Sequence, residues 1–357
     1  DMARLTGKVV TSWSSISVLL SLYLITFLQR ILEARSQIRL AQEDLNGLFH
    51  NRRINIIGAC LFIGLLPSAA SMLLCAELVK NATDGYLESK EQAFVSSWFR
   101  HIPESVLPTY TAVLLMLSLS GVETAKFMMG MIPPVLFLGM LGYFFYLRRV
   151  PTTVDTPKSA DRFADLLHLL GHLWSLILIL VLILAFHFEV VTAVLISIVL
   201  SIFVYHVTAQ ELKQFVFSAF EKKMLGNTFL VLILKEFLSF TGVLPQLPDA
   251  LAKLSLPTYL IFGLLFFLAT IISGSTAAIA MGTPLAFAAI PGGAPLMVYL
   301  MCMAHAASQL SPTHVCLVVA SDYFHITLGD LVRKTIPISL AFCVLVTIYY
   351  NILLLFF

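Results

Sequence analysis

The sequence predicts an all-α polytopic membrane protein with inverted repeats, two re-entrant helical hairpins and two broken transmembrane helices. Three observations predict it. Apolar residues make up 59% of the 357-residue chain and charged residues 12%, against roughly 45–50% and about 25% in soluble domains. The apolar blocks approach the ~20 residues that a helix needs to cross hydrocarbon, yet several are interrupted by Pro, Gly or Ser. Finally, the chain aligns with itself so that the interruptions coincide.

Complete spans are expected over 9–32, 127–147, 173–186, 190–207, 228–240 and 336–357, the shorter ones extending into polar flanks. Four segments read differently. The stretch 54–80 is split at Leu66-Pro67-Ser68 and 258–289 at Ser273-Gly274-Ser275-Thr276; each is expected to enter the membrane and return to the same face. The stretches 94–120 and 295–324 are spans broken near Pro108 and Pro312. Irregular backbone survives at such depth only where protein or a polar cavity satisfies it.

Positive charge tests the topology, because cytoplasmic loops retain Lys and Arg. With Arg35, Arg39, Arg52 and Arg53 cytoplasmic, counting crossings puts Lys80, Lys90, Arg148, Arg149, Lys158, Arg162, Lys213, Lys222, Lys223, Arg333 and Lys334 on that side too. Only Arg4, Lys8, Lys126 and Lys253 fall opposite. The first hairpin then opens from the cytoplasm and the second from outside.

At an offset of 206 residues, Gln29-Arg30 meets Lys235-Glu236, Glu43 meets Asp249, and the first hairpin break meets the second. After a small slip, at an offset of 204, His101, Pro108 and Thr109 meet His305, Pro312 and Thr313. The charge count sets the two copies in opposite orientations, an architecture that secondary transporters use for alternating access. The first repeat covers 1–147, with a scaffold helix, hairpin 54–80, broken helix 94–120 and a closing helix. A cytoplasmic linker covers 148–171. The second repeat, 172–357, has scaffold helices, hairpin 258–289, broken helix 295–324 and a closing helix. Its two extra spans, 173–186 and 190–207, have no counterpart in the first copy.

Motifs within these segments resemble the ion transporter superfamily, which includes sodium-coupled dicarboxylate and citrate carriers and gluconate permeases. They are most similar to a less characterised branch of unknown function. The resemblance lies in Gly64-Leu65-Leu66-Pro67, in Trp98-Phe99-Arg100-His101, and in the stretch from Leu310 to Leu317 followed by Asp322-Tyr323-Phe324. It implies hairpin tips meeting the broken helices near the midplane, a homodimer, and a mobile transport domain sliding against a scaffold. Ala69 and Ala70 stand where that branch has a glycine pair, which makes close backbone approach to a ligand harder.

Broken helices expose N–H groups that can receive a carboxylate, and carbonyls that can hold a small cation. Candidate substrate-binding residues are therefore Pro67, Ser68, Ser71, Ser273, Ser275 and Thr276 at the tips, with Thr109, Ser311, Thr313 and His314 at the breaks. Candidates for coupling or ion binding are His101, Glu104, His305, Lys235, Glu236 and Asp322, because ionisable groups at membrane depth are costly and tend to be functional. The competing structural reading makes the hydroxyls helix-packing groups and Lys235 and Glu236 partners in interhelical ion pairs. The cysteines read as buried small hydrophobes.

The expected function is a secondary active carrier of a small organic anion such as a carboxylate, multi-pass in the cytoplasmic membrane and working by elevator-type alternating access. Na⁺ and H⁺ are both open as the coupling ion. No cofactor, no metal beyond a transported Na⁺ and no nucleic-acid partner is expected; the lipid bilayer is. Two alternatives are an intramembrane serine hydrolase, using Ser273 or Ser275 with His305 or His314, and an ion channel. The first lacks a nucleophile-elbow context, and the second does not explain paired opposed hairpins.

Overall fold

The computed structural model describes residues 2–37, 39–41, 44, 51–65, 69–153, 161–240 and 255–355. The helices are α1 (Met2–Thr11), α2 (Trp13–Ala34), α3 (Arg52–Ile63), α4 (Ala69–Thr83), α5 (Ser89–His101), α6 (Thr111–Ser120), α7 (Thr124–Gly130) and α8 (Ile132–Phe145). There follow α9 (Arg162–Leu184), α10 (Val190–Val204), α11 (Ala209–Ser218), α12 (Lys222–Phe240), α13 (Thr258–Ser273), α14 (Ser275–Ala289), α15 (Gly293–Ser308), α16 (Val315–Tyr323) and α17 (Leu328–Leu353). Four stretches are long and apolar enough to cross a membrane, by length and composition: Ser15–Ala34, Thr124–Phe145, Arg162–Leu184 and Leu328–Leu353. The molecule is an all-helical membrane protein.

Both hairpins and both broken helices occur where the sequence interrupts its apolar runs. The arms α3 and α4 begin 206 residues before α13 and α14, while α5 and α6 begin 204 residues before α15 and α16. The two-residue slip falls between the second hairpin and the second broken helix, as in the self-alignment. Packing follows the same pairing: α4 lies against α16, and α14 against α6. On another side α2 packs against α10, α11 and α12, and α9 against α10, while α2 also meets α6 and α12 meets α14.

Local chemistry explains the interruptions. Asn51 starts α3 by accepting the N–H groups of Arg53 and Ile54. At its far end Gly64 lies so close to α5 that a Cβ there would strike the Arg100 carbonyl. The second hairpin turns at Gly274, whose φ of 86° and ψ of 159° belong to a region essentially reserved for glycine. Capping boxes at Glu88/Glu91 and Thr327/Asp330 begin α5 and α17.

Several expected boundaries differ. The first span divides at Ser12, whose carbonyl accepts the Ser15 and Ile16 N–H groups and opens a new helix. The expected linker 148–171 is shorter, because Asp161 caps α9 through the N–H groups of Phe163 and Ala164. The amphipathic helix α11 was not anticipated at all. A Thr208/Glu211 capping box initiates it, and Arg35 holds it to the end of α2 through both Glu211 oxygens at 2.7 and 3.1 Å.

Charged side chains pair within the sides that the crossing count assigns. Glu91 receives Arg149 at 2.9 Å and Lys334 at 3.1 Å, Lys90 meets Asp330 at 2.7 Å, and Arg53 donates to the Val150 carbonyl at 2.5 Å. On the other side Glu123 pairs with Lys126 and His187, at 3.1 and 3.2 Å.

Candidate functional site

The end of α5, the chain after α15, the first turn of α4 and the turn at Gly274 converge on one polar cluster. Arg100 sits at its centre, 1% exposed although it ends an otherwise apolar surround. Its guanidinium donates to Ser71 Oγ from Nε at 3.1 Å and from Nη2 at 2.7 Å, tying the first turn of α4 to α5. From Nη1 it reaches Glu104 Oε1 at 3.1 Å and Cys316 Sγ at 3.6 Å, so it links the first break to α16 as well.

Beside Arg100, the rings of His101 and His314 lie 4.5 Å apart between centroids and 59° out of parallel. His101 Nδ1 is 2.6 Å from the Ser97 carbonyl, and His314 Nδ1 is 3.0 Å from the Ser308 carbonyl. A carbonyl only accepts, so both Nδ1 atoms carry the proton and both Nε2 atoms present a lone pair. His101 Nε2 is buried without a hydrogen-bond partner and lies 3.8 Å from Glu104 Oε1. Donor atoms of His101, His314 and Cys316 all lie within 4.8 Å of one another.

Each break is stitched to the hairpin of its own half. Tyr110 donates its hydroxyl to the Gly64 carbonyl at the end of α3. In the second half Ser311 donates to the Ile271 carbonyl at 2.9 Å, and its Oγ lies 2.8 Å from that of Thr313. A Cβ at Gly274 would touch Thr313 Oγ1. The starts of α6 and α16 are thereby held beside the hairpins of their own halves.

Ser71, His101, Glu104, Ser311, Thr313 and His314 come together in this way, and His305 is buried on α15 with its Nε2 unpartnered. Ser275 and Thr276 stand half-buried in the first turn of α14. Other candidates stand apart. The Ser273 hydroxyl is exposed and turned back onto the Ala269 carbonyl at 2.8 Å. Thr109 lines a mainly apolar cavity of about 320 Å³ between the first hairpin, the first break and α9. Asp322 is exposed at the end of α16. Glu236 pairs with Lys8 on α1 at 2.5 Å, the interhelical ion pair that an acid inside an apolar span requires. Pro67 and Ser68 lie outside the described residues, as does the side chain of Lys235. Among the described residues, no hydrogen bond joins Ser273 or Ser275 to His305 or His314.

Three participants escaped the list of site candidates. Arg100 was visible as part of a motif and as a weak pointer to an anion. Tyr110 is the counterpart of His314 at the 204-residue offset, which was the available signal. Cys316 had been grouped with apolar cysteines, but it faces Arg100.

The family described as "Protein of unknown function (DUF401)" matches residues 5–353. The chain belongs to it. No curated protein matches the sequence. Among solved structures, the fold is similar to that of the YdaH transporter from Alcanivorax borkumensis, whose crystal structure is described as revealing an unusual topology. The TM-score is 0.65 at 14% identity, and the match covers 99% of this chain and 87% of that one. The similarity shows a shared fold for this DUF401 member.

Proposed function

We propose that this DUF401 protein is a secondary active transporter of a small organic anion, such as a carboxylate, coupled to Na⁺ or H⁺ in the cytoplasmic membrane. The observation that carries the proposal is the meeting of the two helix breaks and the first turn of α4 around Arg100. Helix N-termini carry partial positive charge, and interrupted helices near the midplane place it where an anion is held. Arg100 adds a full charge, already braced by Ser71 and Glu104.

Alternating access by an elevator motion fits the division of the helices. The hairpins and broken helices form the moving body, with α2 and α9 to α12 as the scaffold. Between them, Leu61, Leu65 and Val106 face Leu173, Leu176 and Leu180 across the 320 Å³ cavity, an apolar boundary. The repeat with opposite charge orientation supplies two equivalent end states. Exposed apolar side chains on α9 and α10, such as Phe163, Leu167 and Phe203, suit burial in lipid or against a second copy, and we infer a homodimer. The likeness to YdaH supports transport, and the motif resemblance supports a place in the ion transporter superfamily.

Uptake of radiolabelled carboxylates into proteoliposomes, energised separately by Na⁺ and pH gradients, tests the proposal. Saturable accumulation that collapses with one gradient is expected. Gradient-independent conversion of a compound, or flux through a constantly open pore, would overturn it.

A further inference from the structure

We propose that His101, His314 and Cys316 form a binding site for a borderline transition-metal ion of the Zn²⁺ class, with Glu104 in reach as a fourth ligand. The inference goes beyond the carrier reading and does not depend on it.

The argument begins with the tautomers. Both imidazoles are oriented by Nδ1–H bonds to backbone carbonyls, at 2.6 Å to Ser97 and 3.0 Å to Ser308. An Nδ1–H bond to a carbonyl is the arrangement that fixes Nε2 as a metal ligand and raises its basicity. Two acceptor nitrogens in rings 4.5 Å apart repel each other unless something positive lies between them. His101 Nε2, fully buried, has no hydrogen-bond donor to meet this need.

The remaining donors select the ion. Cys316 contributes a sulfur within 4.8 Å of a ring nitrogen of each histidine, and Glu104 a carboxylate oxygen 3.8 Å from His101 Nε2. Two imidazoles with a thiolate and a carboxylate suit a four-coordinate borderline ion; Na⁺, Ca²⁺ and Mg²⁺ prefer oxygen alone. Bond lengths of about 2.0–2.3 Å require the donors to close to roughly 3.5 Å of one another. His314 and Cys316 flank the start of α16, so a shift of that one turn would bring both donors in.

Arg100 completes the arrangement from outside. It contacts both Cys316 Sγ and Glu104 Oε1, and so holds the carboxylate beside the histidines. On binding, Cys316 gives its proton to solvent as the sulfur–metal bond forms, and one H⁺ is released per M²⁺ bound. Because His101 belongs to the first broken helix and the other two ligands to the second, the ion would clamp the two breaks together.

The test uses the full chain purified in detergent, with Co²⁺ as the spectroscopic probe and Zn²⁺ as competitor. One Co²⁺ per chain is expected, with tetrahedral visible bands, a thiolate-to-cobalt charge-transfer band and displacement by Zn²⁺. Cys316→Ser should abolish the charge-transfer band, and Cys302→Ser should keep it. His314→Gln should weaken binding by more than about 100-fold, the upper end of what loss of an outer-sphere partner costs. No bound Co²⁺ in the unmodified protein, or binding without a thiolate band, would overturn the proposal whether or not any variant folds. A band unchanged in Cys316→Ser would do the same.

Discussion

Replacing Arg100 by Met keeps much of the side-chain volume and removes the charge from the centre of the cluster. The guanidinium is 1% exposed and its partner carboxylate 23%, so little water is available to replace the 3.1 Å contact between them. Removing one member of a buried ion pair costs about 3–5 kcal/mol, chiefly because the other is stranded. Glu104 retains some access to solvent, which places the expected loss near the lower end, about 3 kcal/mol. Two donors to Ser71 disappear as well, freeing the first turn of α4 from α5. Adding Glu104→Gln should recover part of the loss, since the stranded charge is then gone; the double variant should be less destabilised than the sum by at least about 1 kcal/mol. Unfolding free energies of the four proteins, titrated in mixed detergent micelles, close the cycle. An Arg100→Met loss below about 1 kcal/mol, or strict additivity, would refute the account of Arg100 as the clasp between hairpin and break.

Three further outcomes are expected. Gly142 on α8 faces the rings of Phe99 and Trp98, which a Cβ would approach to 2.6 and 2.8 Å, and the Trp98 indole is held by the Leu138 carbonyl at 2.9 Å. Gly142→Ala should therefore cost about 1–3 kcal/mol; an unchanged melting temperature would show that α5 and α8 are less tightly packed. Outside the spans, the Arg35 hydrogen bond and then those to Thr208 hold Glu211 down to about 2 from 4.5. Because the folded value lies below the unfolded one, the pair's contribution is complete above about pH 4.5 and disappears as the pH falls through about 2. Melting curves of Glu211→Gln should show a flatter acid limb over that window; an identical limb would count against the pair. Cys60 and Cys75 hold their sulfurs 3.0 Å apart on the two arms of the first hairpin. A mild membrane-permeant oxidant should join them, read by peptide mapping as a Cys60–Cys75 link with Cys302 still free; a different pairing would contradict the packing of α3 on α4.

Much of the fold was legible because bilayer physics leaves few options. An apolar run that stops at Pro or at Ser-Gly-Ser must turn or break, and the turn at Gly274 and the breaks before α6 and α16 fall where those residues stand. The second hairpin, 258–289, was read to its boundaries, since nothing but the glycine interrupts it. The amphipathic α11 was missed because it is short and its capping box lies between two long apolar runs, which dominate the pattern. The site was legible by residue type and not by contact. His101, His314 and Ser311, which interruptions and matched positions marked, lie in the cluster. Arg100 and Cys316 were harder. Their importance comes from a contact across 216 positions of sequence. Glu236 shows the converse: a buried-looking acid met its partner on α1, a helix whose packing the span pattern did not reveal.

One requirement links the fold to the chemistry of the cluster. A helix that stops at membrane depth leaves its last carbonyls without partners, and no bulk water is there to take them. In this protein side chains of the breaks supply the donors. Tyr110 serves Gly64 at the end of α3, Ser311 serves Ile271 near the end of α13, His101 serves Ser97 in the last turn of α5, and His314 serves Ser308 at the end of α15. Two of the four donors are imidazoles, and a ring that satisfies a carbonyl through Nδ1–H must turn a lone pair the other way. Backbone satisfaction thus dictates which nitrogen faces inward. Separating a break from its hairpin would expose the Gly64 and Ile271 carbonyls again, which opposes such a movement.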